Sequence, residues 1–151
     1  MLCALCQFCE NYLTGYLVTP VLPYFNLEDY SELHELLFTT YSQRPSVGEL
    51  FLINSITSTN MRKIVFALHP TEGGWNPRLW GSLDTALSGL VDRLHASGYE
   101  HTLELEFQLV SAFAKMDPEA YLDAFFPCFR EKGRVTVLEK TSRRIIYCSD
   151  G

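Results

Sequence analysis

The stretch NPRLWGSLDTALSGLVDRLHASG, Asn76–Gly98, lies between MRKIVFAL (Met61–Leu68) and TLELEFQLV (Thr102–Val110), and the order of these three segments decides the fold. In the middle segment Leu79, Trp80, Leu83, Leu87, Leu90, Val91 and Leu94 recur every three or four positions, which gathers side chains on one face of an α-helix. Asn76 is a good N-cap, and Pro77 suits the first helical position, where its missing N–H has no partner to lose. Gly98 supplies a left-handed stop. The flanking segments alternate instead. Ile64, Phe66 and Leu68 stand against Lys63 and smaller residues, and Leu103, Leu105, Phe107 and Leu109 stand against Glu104, Glu106 and Gln108. That is strand periodicity. Strand, helix, strand in succession gives a βαβ unit with parallel strands and a right-handed crossover. The clean alternation of the second strand sets one face against helices and the other against water.

Working outward, Asp117 and Pro118 repeat the cap-then-proline device. Leu122, Phe125, Phe126 and Phe129 mark another apolar helix face, interrupted by Pro127 and ended by Gly133. RVTVLEK (Arg134–Lys140) and RRIIYCS (Arg143–Ser149) read as a hairpin across Thr141 and Ser142. Upstream, NLEDYSELHELLFTTY (Asn26–Tyr41) has the period of an amphipathic helix, with Leu27, Tyr30, Leu33, Leu37 and Tyr41 as its stripe and His34 among acids. ELFLINSI (Glu49–Ile56) reads as a strand. Its link to MRKIVFAL is shorter than the roughly 10 residues a parallel crossover needs, so an antiparallel hairpin is expected there. The expected fold is α/β, a mixed, partly parallel sheet with helices on one face. One domain is expected over 1–151, with 1–25 a helical or irregular lead-in and 26–151 the α/β core.

Composition narrows the function. With 47% hydrophobic and 20% charged residues the chain of 151 residues is long and apolar enough to bury a core. Its net charge of −6 offers no footprint for a phosphate backbone, and the basic stretch from Arg130 to Arg144 is broken by Glu131 and Glu139. No nucleic acid partner is expected. The longest apolar run, YLTGYLVTPVLPYF (Tyr12–Phe25), is interrupted by Pro20 and Pro23, and Met1–Asn11 lacks the basic residues that open a secretory signal. The 5 cysteines follow no disulfide framework and fit a reducing compartment, so an intracellular location, cytoplasmic or nuclear, is expected with no membrane association.

Motifs for chemistry are sparse. Cys3, Cys6 and Cys9 resemble the opening of a ferredoxin cluster motif, but Leu13 stands where its fourth cysteine would fall. They read as small buried hydrophobes on a helix face, with a metal, redox or lipidation role as the alternative. Cys128 and Cys148 read as core residues. Glu104 and Glu106 lie about 6–7 Å apart on one strand face and read as its solvent side. His95 and His101 have no evident acid–base partner. The loop HPTEGGWNP offers the best pocket: His69, Gly73, Gly74 and Asn76 at a helix N-terminus beyond a strand end could hold an anion, although the dinucleotide and P-loop fingerprints are absent. With no nucleophile elbow and no H-E-x-x-H, the expectation is no catalytic residue, no metal and no cofactor.

One resemblance covers roughly residues 29–149. MRKIVFAL, then WNPRLWGSLDTALSGLVDRL, LELEFQLV and the closing FREKGRVTVLE (Phe129–Glu139) resemble in their order the C-terminal end of the fungal F-box proteins with degenerate leucine-rich repeats. VGELFLIN sets Val47, Leu50, Leu52 and Asn54 near the L-x-x-L-x-L-x-x-N pattern, with the asparagine one residue early. The resemblance implies the end of a leucine-rich-repeat-like solenoid and a non-enzymatic domain that recognises a protein partner. The first 25 residues do not form an F-box, so the chain reads as a terminal piece of such a protein. Phe51, Trp75 and Tyr99 are the expected anchors, on the exposed sheet face and loops.

Overall fold

The computed structural model describes residues 12–15, 27–40, 44–68, 80–109, 126–139 and 144–148. Strands β1 (Tyr12–Gly15), β2 (Glu35–Thr40), β3 (Lys63–Leu68), β4 (Glu104–Leu109), β5 (Arg134–Glu139) and β6 (Arg144–Cys148) form one sheet in that spatial order. The first five run parallel, and β6 turns back antiparallel to β5. Val137 pairs with Tyr147 while Leu138 pairs with Ile145, so Ile146 is the extra residue of a bulge. Helix α1 (Val47–Ser55) lies between β2 and β3, helix α2 (Gly81–Ala96) between β3 and β4, and a 3₁₀ turn at Phe129–Glu131 precedes β5. The α/β class, the mixed sheet and the β3–α2–β4 unit agree with the sequence reading.

Every parallel strand enters in the same register. Leu36, Ile64, Leu105 and Val135 form one row across β2–β5, and Phe38, Phe66, Phe107 and Val137 the next. Both rows are buried in one core with Leu52, Ile53 and Ile56 from α1 and its C-cap, and with Leu83, Leu87, Leu90, Val91 and Leu94 from α2. The helices therefore cover the same face. The rings of Phe38, Phe66 and Phe107 stack side by side at centroid distances of 4.9 and 5.9 Å, and Phe126 adds a fourth at 5.4 Å. Trp80 stands edge-on to Phe66 and Phe107, the arrangement that ring quadrupoles favour.

Helix boundaries have local causes. Ser46 and Glu49 form a capping box: the Ser46 hydroxyl accepts from the Glu49 N–H at 3.1 Å, and the Ser46 N–H donates to Glu49 Oε2 at 2.6 Å. The outer end of α2 is a Schellman motif, in which Gly98 N–H donates to His95 O, Tyr99 N–H donates to Leu94 O, and Gly98 takes φ 90°. Among the described residues α2 runs from Gly81 with Trp80 as N-cap, and the start expected at Asn76 lies outside the described residues.

Three segments depart from the sequence expectation. ELFLINSI is helical from Glu49 to Ser55 in α1, because the capping box starts a helix that burial of Leu52 and Ile53 then holds. The antiparallel hairpin is accordingly replaced by a parallel β2–α1–β3 crossover. The described part of the Asn26–Tyr41 stretch, 27–40, is not a helix: it is a turn that leads into β2, where Leu36 and Phe38, rather than Leu37, face the core. In the lead-in, Tyr12–Gly15 is a strand. The helix expected from Asp117 falls mostly outside the described residues, as do Cys3, Cys6 and Cys9.

The turns at the amino ends of the strands are bonded to one another. Arg62 N–H donates to His34 O, Glu104 N–H to Arg62 O, and Arg134 N–H to Leu103 O. The Ser58 hydroxyl lies 2.6 Å from Ser31 O and 2.9 Å from Leu33 O. Asp84 on α2, itself buried, accepts from the Phe129 N–H at 2.8 Å and the Cys128 N–H at 3.2 Å, which fixes the 3₁₀ turn against the helix. Gly133 closes that turn. A Cβ there would stand 2.8 Å from Leu103 O and run into the Phe129 ring, itself fully buried. Gly133→Ala should therefore cost about 1–3 kcal/mol, the range for overpacking a filled site, read as a lower urea midpoint with an unchanged m-value. A midpoint equal to that of the parent chain would contradict this packing.

Candidate functional site

The alternate positions of the strands point away from the helices. In parallel register they form three rows: Glu35, Lys63, Glu104 and Arg134; Leu37, Val65, Glu106 and Thr136; Thr39, Ala67, Gln108 and Leu138. The first row alternates in sign across four strands. Lys63 Nζ donates to Glu106 Oε2 at 2.7 Å and lies 3.8 Å from Glu104 Oε1. The other Glu106 oxygen accepts from Gln108 Nε2 at 2.9 Å. Glu106 is thus a carboxylate with both oxygens engaged, its side chain only 7% exposed.

Charge balance sets the titration of this group. Burial pushes the Lys63 ammonium down, but its hydrogen bond to Glu106 and the charges of Glu106, Glu104 and Glu35 outweigh that and hold it above 10.5. Glu35 goes above its usual carboxylate value, chiefly because burial disfavours its charge; Lys63 opposes this, while Glu106 and Glu104 add repulsion. The second face is not the wet side expected from the alternation. Val65 is 1%, Ala67 3% and Thr136 5% exposed. The row also sits at the amino ends of the strands, whereas ligands of α/β sheets gather beyond the carboxyl ends. Its chemistry is that of a neutralised ammonium, suited to tying strands together.

Among the described residues two large apolar side chains are exposed, Val47 and Phe51, both on α1. They are four residues apart, so they share the helix face that turns away from the core, beside half-buried Leu50. Phe51 is an expected anchor and is available. Tyr99 is not: it is 5% exposed, its hydroxyl donates to Met61 O at 2.8 Å, and its ring sits between those of His95 and His101. Burial pushes the Tyr99 phenol up, with Arg62 opposing. Its role is to join the turn before β4 to the turn before β3. Trp75 and the proposed anion loop of His69, Gly73, Gly74 and Asn76 lie outside the described residues.

Cys128 is exposed rather than a core residue, and hydrogen bonding to and the charge of Asp84 push its thiol up, away from thiolate reactivity. Among the described residues no group of three or more His, Cys, Asp or Glu is placed to hold a metal ion, and no helix is long and apolar enough to cross a membrane.

Two features escaped the sequence reading. The Lys63–Glu106 pair joins residues on separate strands, and only the strand register brings them together. The Val47–Phe51 pair escaped because the segment reads as a strand; the signal that would have found it is Ser46-x-x-Glu49, the capping signature that starts α1. No family model matches the chain, and no curated protein or solved structure is significantly similar to it.

Removing the ammonium should strand the buried carboxylate. Lys63→Met is expected to cost about 1–3 kcal/mol, and Lys63→Met with Glu106→Leu to regain most of that loss, in urea denaturation of all three chains. A double variant no more stable than Lys63→Met would show that the pair is not the source. Tyr99→Phe should cost about 1 kcal/mol through the hydrogen bond lost to Met61 O, measured the same way.

Proposed function

We propose that the chain is a non-enzymatic protein-interaction domain of leucine-rich-repeat-like build, the terminal part of an F-box-type substrate-recognition region. The observation that carries this reading is the sequential, in-register run of parallel strands with helices on one side. A solenoid stacks one supersecondary unit on the next, so that each contacts only its neighbours and a continuous row of like residues fills the core. The rows Leu36–Ile64–Leu105–Val135 and Phe38–Phe66–Phe107–Val137 are such rows. The turn-to-turn bonds at Ser58, Arg62, Tyr99 and Arg134 link each unit to the one before. Strand starts at Glu35, Lys63, Glu104 and Arg134 recur at roughly 30–40 residues, longer than the 20–29 of regular leucine-rich repeats, as degenerate units would be.

The antiparallel β6 supports a terminal position, since a returning strand with a bulge closes the run on that side. A partner is engaged through the outer face of α1, with Phe51 and Val47 as its apolar anchors. Aromatic side chains dominate interface energetics, which is why Phe51 is given the central role. The composition and cysteine usage support work inside the cell. A second reading, a small-ligand domain using His69, Gly73, Gly74 and Asn76, is favoured by one fact: the segment leaves β3 at its carboxyl end and leads into α2.

The immobilised chain should capture a discrete partner from cell lysate, and Val47→Asp with Phe51→Asp should reduce that capture at least tenfold while leaving thermal unfolding within a few degrees. Tyr99→Phe should leave capture unchanged. Recovery of nothing, with turnover of a small substrate or a thermal shift by a phosphorylated metabolite that His69→Ala abolishes, would replace this reading with the second one.

A further inference from the structure

Exposed apolar side chains and exposed acids meet on one unit of the fold. Val47 is 85% and Phe51 45% exposed on α1, with Leu50 half-buried beside them. Phe51 shares its side of the helix with Ser55, one turn on, and the Ser55 hydroxyl accepts from the Leu27 N–H at 3.0 Å. The turn that starts at Leu27 therefore passes the carboxyl end of α1 on the Phe51 side. Two further contacts hold it there: the Thr57 hydroxyl donates to Glu28 O at 3.0 Å, and Asn60 Nδ2 donates to Ser31 O and Glu32 Oε2, each at 3.3 Å. Glu28, Asp29 and Glu32 are exposed on this turn. Between residues 27 and 61 the acids Glu28, Asp29, Glu32, Glu35 and Glu49 stand against Arg44 as the one Arg or Lys, so this unit carries most of the chain's net charge of −6. Arg93 of α2 comes near, but its guanidinium donates to the carbonyls of Ile53 and Asn54.

Resting on the reading of α1 as a protein-binding face, we infer that the partner segment is a basic amphipathic helix. Its apolar residues pack on Val47, Leu50 and Phe51, and its Lys or Arg side chains meet Glu28, Asp29 and Glu32. The side of a helix offers no free backbone group to an extended strand, because its own ladder uses them. It receives a second helix through side chains three and four apart, the spacing of Val47, Leu50 and Phe51. The acids set the sign of the occupant, since opposite charge at the rim of an apolar contact speeds and selects association. A second copy of the chain answers them poorly. Two exposed side chains fall well short of the ~800 Å² per partner of a standard interface. An isologous contact would also set the same acids on both sides, with only Arg44 between 27 and 61 to oppose them. The same charges repel an anionic membrane.

The test uses the full chain and two synthetic helices of about 20 residues, with one pattern of Leu and either Lys or Glu at every other position. Each carries a fluorophore, and anisotropy reads its binding at low and at raised salt. The Lys helix should bind about tenfold or more tighter than the Glu helix at low salt, and the gap should narrow as salt screens the charges. Glu28→Gln with Asp29→Asn and Glu32→Gln should weaken the Lys helix about threefold or more without weakening the Glu helix. Phe51→Ala should weaken the Lys helix about tenfold. Equal binding of the two helices, or Lys-helix binding that ignores either set of substitutions, would overturn the inference. So would sedimentation that shows a dimer dissolved by Phe51→Asp, which assigns the face to a second copy. Lysate capture separates the two levels: capture that still needs Val47 and Phe51 keeps α1 as the binding face with a partner of other chemistry, whereas capture indifferent to them removes the face and the basic helix together.

Discussion

The stacked rings of Phe38, Phe66 and Phe107, wedged by Trp80, are the constraint on which the other contacts depend. Parallel strands in common register bring like positions side by side, and here that places three phenyl rings at one level across β2, β3 and β4. A slip of one residue in any of these strands would turn its ring to the opposite face and bring a position such as Leu37, Val65 or Glu106 into the core. Trp80 touches two of the rings at the start of α2 and so fixes where that helix begins over the sheet. Phe126 continues the stack toward the 3₁₀ turn, where Asp84 holds the backbone.

Polar groups perform a different task. The core is apolar on the helix side, while at the amino ends of the strands buried hydroxyls and amides satisfy carbonyls that no ladder reaches. Ser58 serves Ser31 and Leu33, Ser55 accepts from the Leu27 N–H and donates to Leu52 O, and Tyr99 serves Met61. Arg93 reaches from α2 to the carbonyls of Ile53 and Asn54, supplying to the end of α1 the cation that its own last turn lacks. Most of these bonds link neighbouring units, so the edge of the sheet acts as a continuous polar seam.

Sequence patterns exposed the elements whose two signals agree. β3, α2, β4 and the β5–β6 hairpin combine a clear period with a stop such as Gly98 or a break between strands. They failed where local and tertiary preferences conflict. Leu36, Leu37 and Glu35 are good helix formers with helical neighbours in sequence, yet pairing with both β1 and β3 draws them into a strand. The run Leu50–Ile53 is apolar enough for a buried strand, and only the Ser46–Glu49 box decides for a helix. The candidate site was less legible than the fold. Glu104 and Glu106 were visible as a pair, but their engagement by Lys63 depends on register. Phe51 and Tyr99 are both aromatic and looked alike as anchors; burial separates them, one on an outward helix face and one bonded under a turn.

The common register of the strands leaves the rim at their amino ends little freedom to change. At that rim the returns into β3, β4 and β5 are sewn to their neighbours through Ser58, Tyr99 and Arg134, so an added residue there would unseat a bond in the adjoining unit as well as its own. At the other rim the segments that leave the parallel strands lie outside the described residues. Divergence between descendants of such a chain would therefore be held back along the sewn rim, where one insertion is felt in two units at once.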